Sequence, residues 1–204
     1  KNPIIVDGDT GFGGLANVYK TVKDLEQVGA SAVILEDQEF PKRCALTKKI
    51  KLLDLKNSEK RIKTAVKAAK ESNNILIFAR TDALSGGSLK EAIKRAKSFR
   101  KLGADAIFIT GINSLEEIKL IKRNLKSIPL IINITQDIKF DLVDIKKNDF
   151  KFILYSQQLL NSYIDTTNAT LKLIKNNKNP KFKNKASDTL ALLNFKKYLA
   201  IEEN

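Results

Sequence analysis

At 204 residues, with 43% hydrophobic and 29% charged residues, the chain suits one globular domain with a large core and is short for two. It holds no histidine, which excludes every His-based triad, His-ligated zinc site and imidazole shuttle, and its single cysteine excludes an internal disulfide and favours a cytoplasmic setting. The net charge of +14 comes mainly from lysines mixed with acids, as on solvated helix faces. With no signal-peptide pattern and no apolar run near the ~18–20 residues of a membrane span, neither nucleic acid nor membrane is expected as a partner.

Six short β-branched runs alternate with amphipathic segments. "PIIVDGD" turns through "GFGG" into "LANVYKTVKDLEQVG", where Val18, Val22, Leu25 and Val28 recur at helical spacing and Gly29 stops the helix. "SAVILED" runs on into "QEFPKRCAL", which holds the cysteine, Cys44. "SEKRIKTAVKAAKES" predicts a helix with Ser58 as its N-cap. Then come the strand "NILIFARTD", a helix "SLKEAIKRAKSFRKLG" ending at Gly103, the strand "DAIFITG", a helix "SLEEIKLIKRNLKS", and the strands "PLIINIT" and "KFILYS". A polar linker "NNKNPKFKNK" leads to "ASDTLALLNFKKYLAIEEN", read as one helix. The expected division is a barrel portion over 1–175 and a linker with C-terminal helix over 176–204. Lys1 is no initiator, as in a processed or truncated piece.

The strands lack polar and apolar alternation, which predicts a parallel sheet covered by helices on both faces. Asp7 and Asp9, Glu36 and Asp37, Arg80 and Asp82, Thr110, Asn133 and Thr135, and Ser156 all fall at the C-terminal ends of predicted strands. In a parallel α/β fold those ends share the face where ligands bind. A (β/α)8 barrel needs eight units and six are present. The α/β fold is therefore an open doubly wound sheet, or a TIM-barrel type whose first two βα units are absent from this chain.

"DGDTGFGG" lacks the ending of a P-loop and the spacing of GxGxxG. Its two carboxylates, one residue apart, suit Mg2+ or Mn2+, or else cap a helix. Glu36 and Asp37 point to opposite faces of a continuing strand, so one of them joins Asp7. Three neighbouring carboxylates repel unless a cation sits among them. Arg80, at a buried strand end, needs either Asp82 or a substrate carboxylate as its partner. Cys44 is a small buried hydrophobe, or an acid or nucleophile favoured by Lys42 and Arg43 beside it.

Together "DGDTGFGG", "EDQEFPKRC" and "ARTDA" resemble the isocitrate lyase and phosphoenolpyruvate mutase superfamily, and the likeness extends through "GADAIFI" and "INIT". The resemblance implies a (β/α)8 barrel that binds Mg2+ (or Mn2+) and a small-molecule carboxylic acid, with a C-terminal helix exchanged between subunits of a homodimer or homotetramer. By position it implies Asp7 as direct metal ligand, with Asp9 and Glu36 holding metal-bound waters. It further implies Arg80, Cys44 and Lys42 as catalytic residues, and Arg43, Arg80, Asn133, Thr135 and Thr110 as substrate-binding ones.

"KRC" with "ARTDA" is similar to the carbon–carbon lyases of the superfamily, the 2-methylisocitrate lyase-like branch, whose cysteine lies on a mobile loop and protonates the departing carbanion. The implied reaction is Mg2+-dependent cleavage of a 2-hydroxy di- or tricarboxylate, via an enolate, to a keto acid and a second carboxylate. The alternatives are a phosphonopyruvate or oxaloacetate-type enzyme and a diverged non-catalytic member. Two positions depart from the lyase pattern. Cys44-Ala45-Leu46 stands where it has Cys-Gly-His, and Thr110 stands where a catalytic Glu is expected.

Overall fold

The computed structural model describes residues 2–44, 50–72, 74–135 and 138–202. Ala45 and Leu46 lie outside the described residues. The residues group into two compact units, Lys1–Ser156 and Gln157–Asn204. The first unit repeats strand and helix: β1 (Ile5–Asp7), α1 (Leu15–Gln27), β2 (Ala32–Glu36), α2 (Leu55–Lys70), β3 (Leu76–Thr81), α3 (Leu89–Lys101), β4 (Ala106–Ile109), α4 (Leu115–Asn124), β5 (Leu130–Asn133), α5 (Leu142–Lys147) and β6 (Phe152–Leu154). All six predicted strands form. The second unit carries α6 (Gln158–Lys175), α7 (Ala186–Leu192) and α8 (Phe195–Glu202).

The strands pair in sequence order, β1-β2-β3-β4-β5-β6, and every pair is parallel. A doubly wound sheet reverses its strand order at a switch point. Here there is no reversal, and crossovers of one hand put the helices on one face. That face holds the larger core, in which Val18 and Val22 of α1, Ile62 and Ala65 of α2, Phe99 of α3, and Ile118 and Ile121 of α4 close over Val33, Leu35, Ile77, Ile107 and Ile132.

The opposite face holds a separate cluster built from strands: Ala32, Ile34, Phe78, Ala106, Phe108 and Ile131, with Phe152 and Leu154 against it. The expectation of helices on both faces is therefore corrected. The strands are apolar throughout because the second face is filled by the sheet's own side chains, as in a barrel interior. Six parallel strands curl as part of a barrel.

Local chemistry sets the helix ends. Ser88 accepts the Glu91 N–H, and Ser114 with Glu117 forms a capping box. The cap of α2 is Asp54, whose carboxylate accepts the Asn57 N–H at 2.7 Å, and Ser58 sits inside the helix, donating to the Asp54 carbonyl at 2.9 Å. A carboxylate one turn earlier is the better acceptor for the open N–H groups, so Ser58 is displaced from the cap role. The single C-terminal helix is also corrected, because the segment breaks into α7 and α8 at Asn194, whose φ is 57°.

The "DGDTGFGG" turn carries its glycines for steric reasons. Gly11 has φ +81°, and a Cβ there would lie 2.5 Å from Val18 Cγ2. The turn is thus pressed onto α1, which holds Asp7 and Asp9 at the carboxyl edge of the sheet.

Candidate active site

The pleat sorts the strand ends. Ile34 and Phe78 pair in register on the inner face, and two residues further on Glu36 pairs with Arg80. Glu36 and Arg80 therefore continue the inner face, while Asp37 turns to the other side. There it meets Arg95 of α3 at 3.0 Å and accepts the Asp82 N–H at 3.0 Å. The expected division of the adjacent carboxylates is what the structure has, with Glu36 beside Asp7.

Arg80 is the hub. Its Nε donates to Asp82 Oδ1 at 2.8 Å and its Nη2 to Asp82 Oδ2 at 3.2 Å, a two-point grip that fixes one edge of the guanidinium. Its Nη1 lies 3.1 Å from Glu36 Oε2 and 3.8 Å from Asp7 Oδ2. Phe108 supports the cation from below, with its ring centroid 5.5 Å from the guanidinium carbon. Asp82 also accepts Thr110 Oγ1 at 2.5 Å and the Gln38 amide N–H. Burial works against the charge on Asp82, but Arg80 and these donors hold its carboxyl below the usual range.

Glu36 is the reverse case. Its side chain is fully buried, yet neither carboxylate oxygen accepts a hydrogen bond among the described residues. Burial pushes its carboxyl up to about 7; Arg80 and Lys42 pull it down, and Asp82 and Asp7 push it further up. The Lys42 ammonium pairs with Asp9 and stands 3.8 Å from Glu36 Oε2. Burial lowers the pKa of that ammonium, but the bond to Asp9 and the nearby acids raise it above the ordinary lysine value.

Asp7, Asp9, Glu36 and Asp82 thus face two cations, Arg80 and Lys42, which leaves two negative charges if all four acids ionise. That surplus, the unbonded Glu36 oxygens and a donor set made wholly of oxygen fit a hard divalent cation. Among the described residues no three acidic, cysteine or histidine side chains are placed so that they could hold a metal ion by themselves.

The remaining predicted site residues sit as follows. Asn133 Oδ1 accepts from Ser156 Oγ at 2.9 Å at the ends of β5 and β6, and Thr135 is half-buried just beyond. Thr110 is 8% exposed and directs its hydroxyl to Asp82, with Ser85 Oγ 3.1 Å away. Arg43 and Cys44 are exposed on the segment after Pro41, so the reading of Cys44 as a buried filler is set aside.

Sequence reasoning missed three buried residues that shape this edge. Arg61 donates from one nitrogen to the carbonyls of Glu36 and Gln38, each at 2.7 Å. Arg95 bonds Asp37, Ser58 Oγ at 3.1 Å and the Leu53 carbonyl at 2.8 Å. Gln38 is 1% exposed and bonds Asp82. A signal existed for the arginines, since both lie on the apolar stripe of their helices beside Ile62 and Ala96.

The parallel barrel-type sheet and its acid and arginine cluster define an α/β protein with a candidate site at the carboxyl edge. The sequence matches the phosphoenolpyruvate phosphomutase family over residues 1–175, and the chain belongs to that family. It is 41% identical over 134 residues to 2-methylisocitrate lyase of Aeropyrum pernix (66% of this chain, 42% of that one). It is 36% identical over 156 residues to the 2-methylisocitrate lyase of Halalkalibacterium halodurans (75% and 51%). A crystal structure of 2,3-dimethylmalate lyase, described as a PEP mutase/isocitrate lyase superfamily member, superposes with a TM-score of 0.86 at 26% identity, covering 98% of this chain and 68% of that one. The chain spans about half the length of the curated relatives it matches.

Proposed function

We propose that this chain supplies the carboxyl-edge site of a Mg2+- or Mn2+-dependent carbon–carbon lyase. Its substrate is a 2-hydroxy di- or tricarboxylate of the 2-methylisocitrate kind, cleaved to a keto acid and a second carboxylate. The observation that carries this reading is Arg80, locked on one edge by Asp82 while its Nη1 faces Glu36 and Asp7. A planar guanidinium held in this way is matched to a carboxylate arriving at the acid edge. The likeness to two 2-methylisocitrate lyases supports the substrate class.

Asp7 would hold the divalent cation, with Asp9 and Glu36 holding its waters. When bound, the cation supplies positive charge for the oxygen that becomes anionic during cleavage. Arg80 grips the hydroxy-acid carboxylate, and Arg43, Asn133, Thr135 and Thr110 border it, Thr110 acting through Asp82. Lys42 adds positive charge at the acid edge. A base, to which no residue is assigned, accepts the hydroxyl proton as the carbon–carbon bond breaks, the hydroxyl carbon becomes the keto carbon, and the electron pair stays on the departing carbon beside its own carboxylate. The Cys44 thiol gives that carbon its proton.

Apolar side chains exposed along α8, among them Phe195, Tyr198 and Ile201, support assembly as a homodimer or homotetramer through the C-terminal segment. No described helix is long and apolar enough to cross a membrane.

The test is pyruvate release from 2-methylisocitrate with Mg2+, comparing wild type with Cys44→Ser. A fall in turnover of about 10²-fold or more is expected. Unchanged turnover would remove the proton-donor mechanism and favour oxaloacetate or phosphonopyruvate chemistry, which has no need of Cys44.

A further inference from the structure

Gln38 lies just past β2 and is almost completely buried, at 1% exposure. Its backbone is pinned twice. It forms an antiparallel bridge with Leu52, flanked by the Glu39 N–H to the Lys51 carbonyl at 2.8 Å and the Leu53 N–H to the Asp37 carbonyl at 2.9 Å, and its own carbonyl accepts Arg61 at 2.7 Å. Its side chain is therefore delivered to one place with little freedom.

That side chain joins two parts of the site. Its Nε2 donates to Asp82 Oδ2, and its Oε1 accepts the backbone N–H of Arg43 at 3.1 Å. The orientation of the amide is forced. The Asp82 carboxylate, which also accepts from Arg80 and Thr110, can only accept, and a backbone N–H can only donate. Among side chains of this length, an amide meets both demands without having to take up a proton. An apolar substitute leaves the Arg43 N–H and one Asp82 lone pair without their partner.

We infer that Gln38 is a positioning residue that ties the segment carrying Lys42, Arg43 and Cys44 to the Asp82–Arg80 pair, so that the placement of that segment and the carboxylate grip of Arg80 are set together. Asp82 is the shared element, holding Arg80 on one side and accepting Gln38 on the other. Displacement of the Arg43 backbone releases Gln38, and Asp82 then loses a fixed donor while Arg80 loses part of what orients it. The bond runs through a backbone N–H, so the link does not depend on the Arg43 side chain. The inference rests on the Arg80 role proposed above, and it adds a residue that touches neither substrate nor cation.

The experiment uses the whole chain and two readouts. Cys44 is the sole thiol, so its alkylation rate by iodoacetamide reports the segment without any ligand. Calorimetry with oxalate in the presence of Mg2+ reports the carboxylate grip. Gln38→Met should raise the alkylation rate severalfold and weaken oxalate about tenfold, while Mg2+ affinity stays within about twofold.

In an Arg80→Ala background Gln38→Met should change oxalate affinity no further. An equal loss in both backgrounds means that Gln38 acts through the general fold, and the inference fails. Should Gln38→Met not fold, the exposed Arg43→Pro removes the N–H end of the link, with Arg43→Ala as the reference for the lost guanidinium and Lys42→Pro, which leaves the Arg43 N–H in place, as the reference for the stiffened backbone. Alkylation must then be faster in Arg43→Pro than in either reference, and a rate equal to either one overturns the inference. If wild type binds no oxalate, the functional reading falls, and the alkylation rates still decide whether Gln38 holds the segment.

Discussion

Replacing Glu36 by Gln in cation-free, chelated protein should stabilise the fold, and by an amount that depends on pH. The Glu36 carboxyl stands at about 7 in the folded chain against an ordinary 4.5, chiefly because it is buried. A carboxyl whose pKa rises on folding costs nothing at a pH below its unfolded value, because both states are then protonated. The cost grows as pH climbs from 4.5 and levels off above about 7, where both states are ionised. Raising a pKa from 4.5 to about 7 corresponds to about 3 kcal/mol at the plateau. Glutamine keeps the shape and carries no charge.

The stability gap between Glu36→Gln and wild type should therefore widen from under about 0.5 kcal/mol near pH 4.5 to about 3 kcal/mol at pH 8. For a chain of this size that is a rise in Tm of about 6–12 °C at the upper pH. Urea unfolding in EDTA at several pH values measures it directly. A gap that stays constant across that range, or a variant less stable at pH 8, would refute a buried, unsatisfied carboxylate at position 36.

Mg2+ added to wild type at about 100 times its dissociation constant should stabilise the fold by about 3 kcal/mol. Asp7→Asn should abolish that thermal shift while leaving the melt in EDTA close to wild type, since Asp7 is half exposed; an undiminished shift would place the cation elsewhere. Arg95→Met strands Asp37, whose side chain is 1% exposed, and should cost about 3–5 kcal/mol in urea unfolding. Adding Asp37→Asn to it should recover a large part of that loss, and a double variant no better than the single one would contradict the pairing.

Much of this edge was legible in the sequence because a parallel sheet puts its strand ends on one face wherever the helices lie. The six strand runs, the placement of Asp7, Glu36 and Arg80 at their ends, and the motifs shared with the family all follow from local order. Choices between near neighbours were harder. Ser58 and Asp54 are both good caps four residues apart, and the carboxylate took the role because it reaches the Asn57 N–H. The tail read as one helix because Leu192 and Leu199 keep an apolar pattern across the break at Asn194.

Local order in the chain was enough to read the alternation of strands and helices and the edge where the polar strand ends gather, and the motifs were enough to read the family. Strand order is a property of pairing between distant segments, so periodicity left a doubly wound sheet open; the motif resemblance implied a barrel, and the pairing β1 to β6 in sequence order bears out the barrel-type sheet. The tertiary structure also separated the structural cations from the solvated ones. Arg95 stands four residues after Glu91, like any surface pair, and its buried partner Asp37 is 58 residues away in the chain. Gln38 reaches Asp82 across 44 residues. Such contacts leave no local period to read, because what makes them favourable is the exclusion of water by the packed fold.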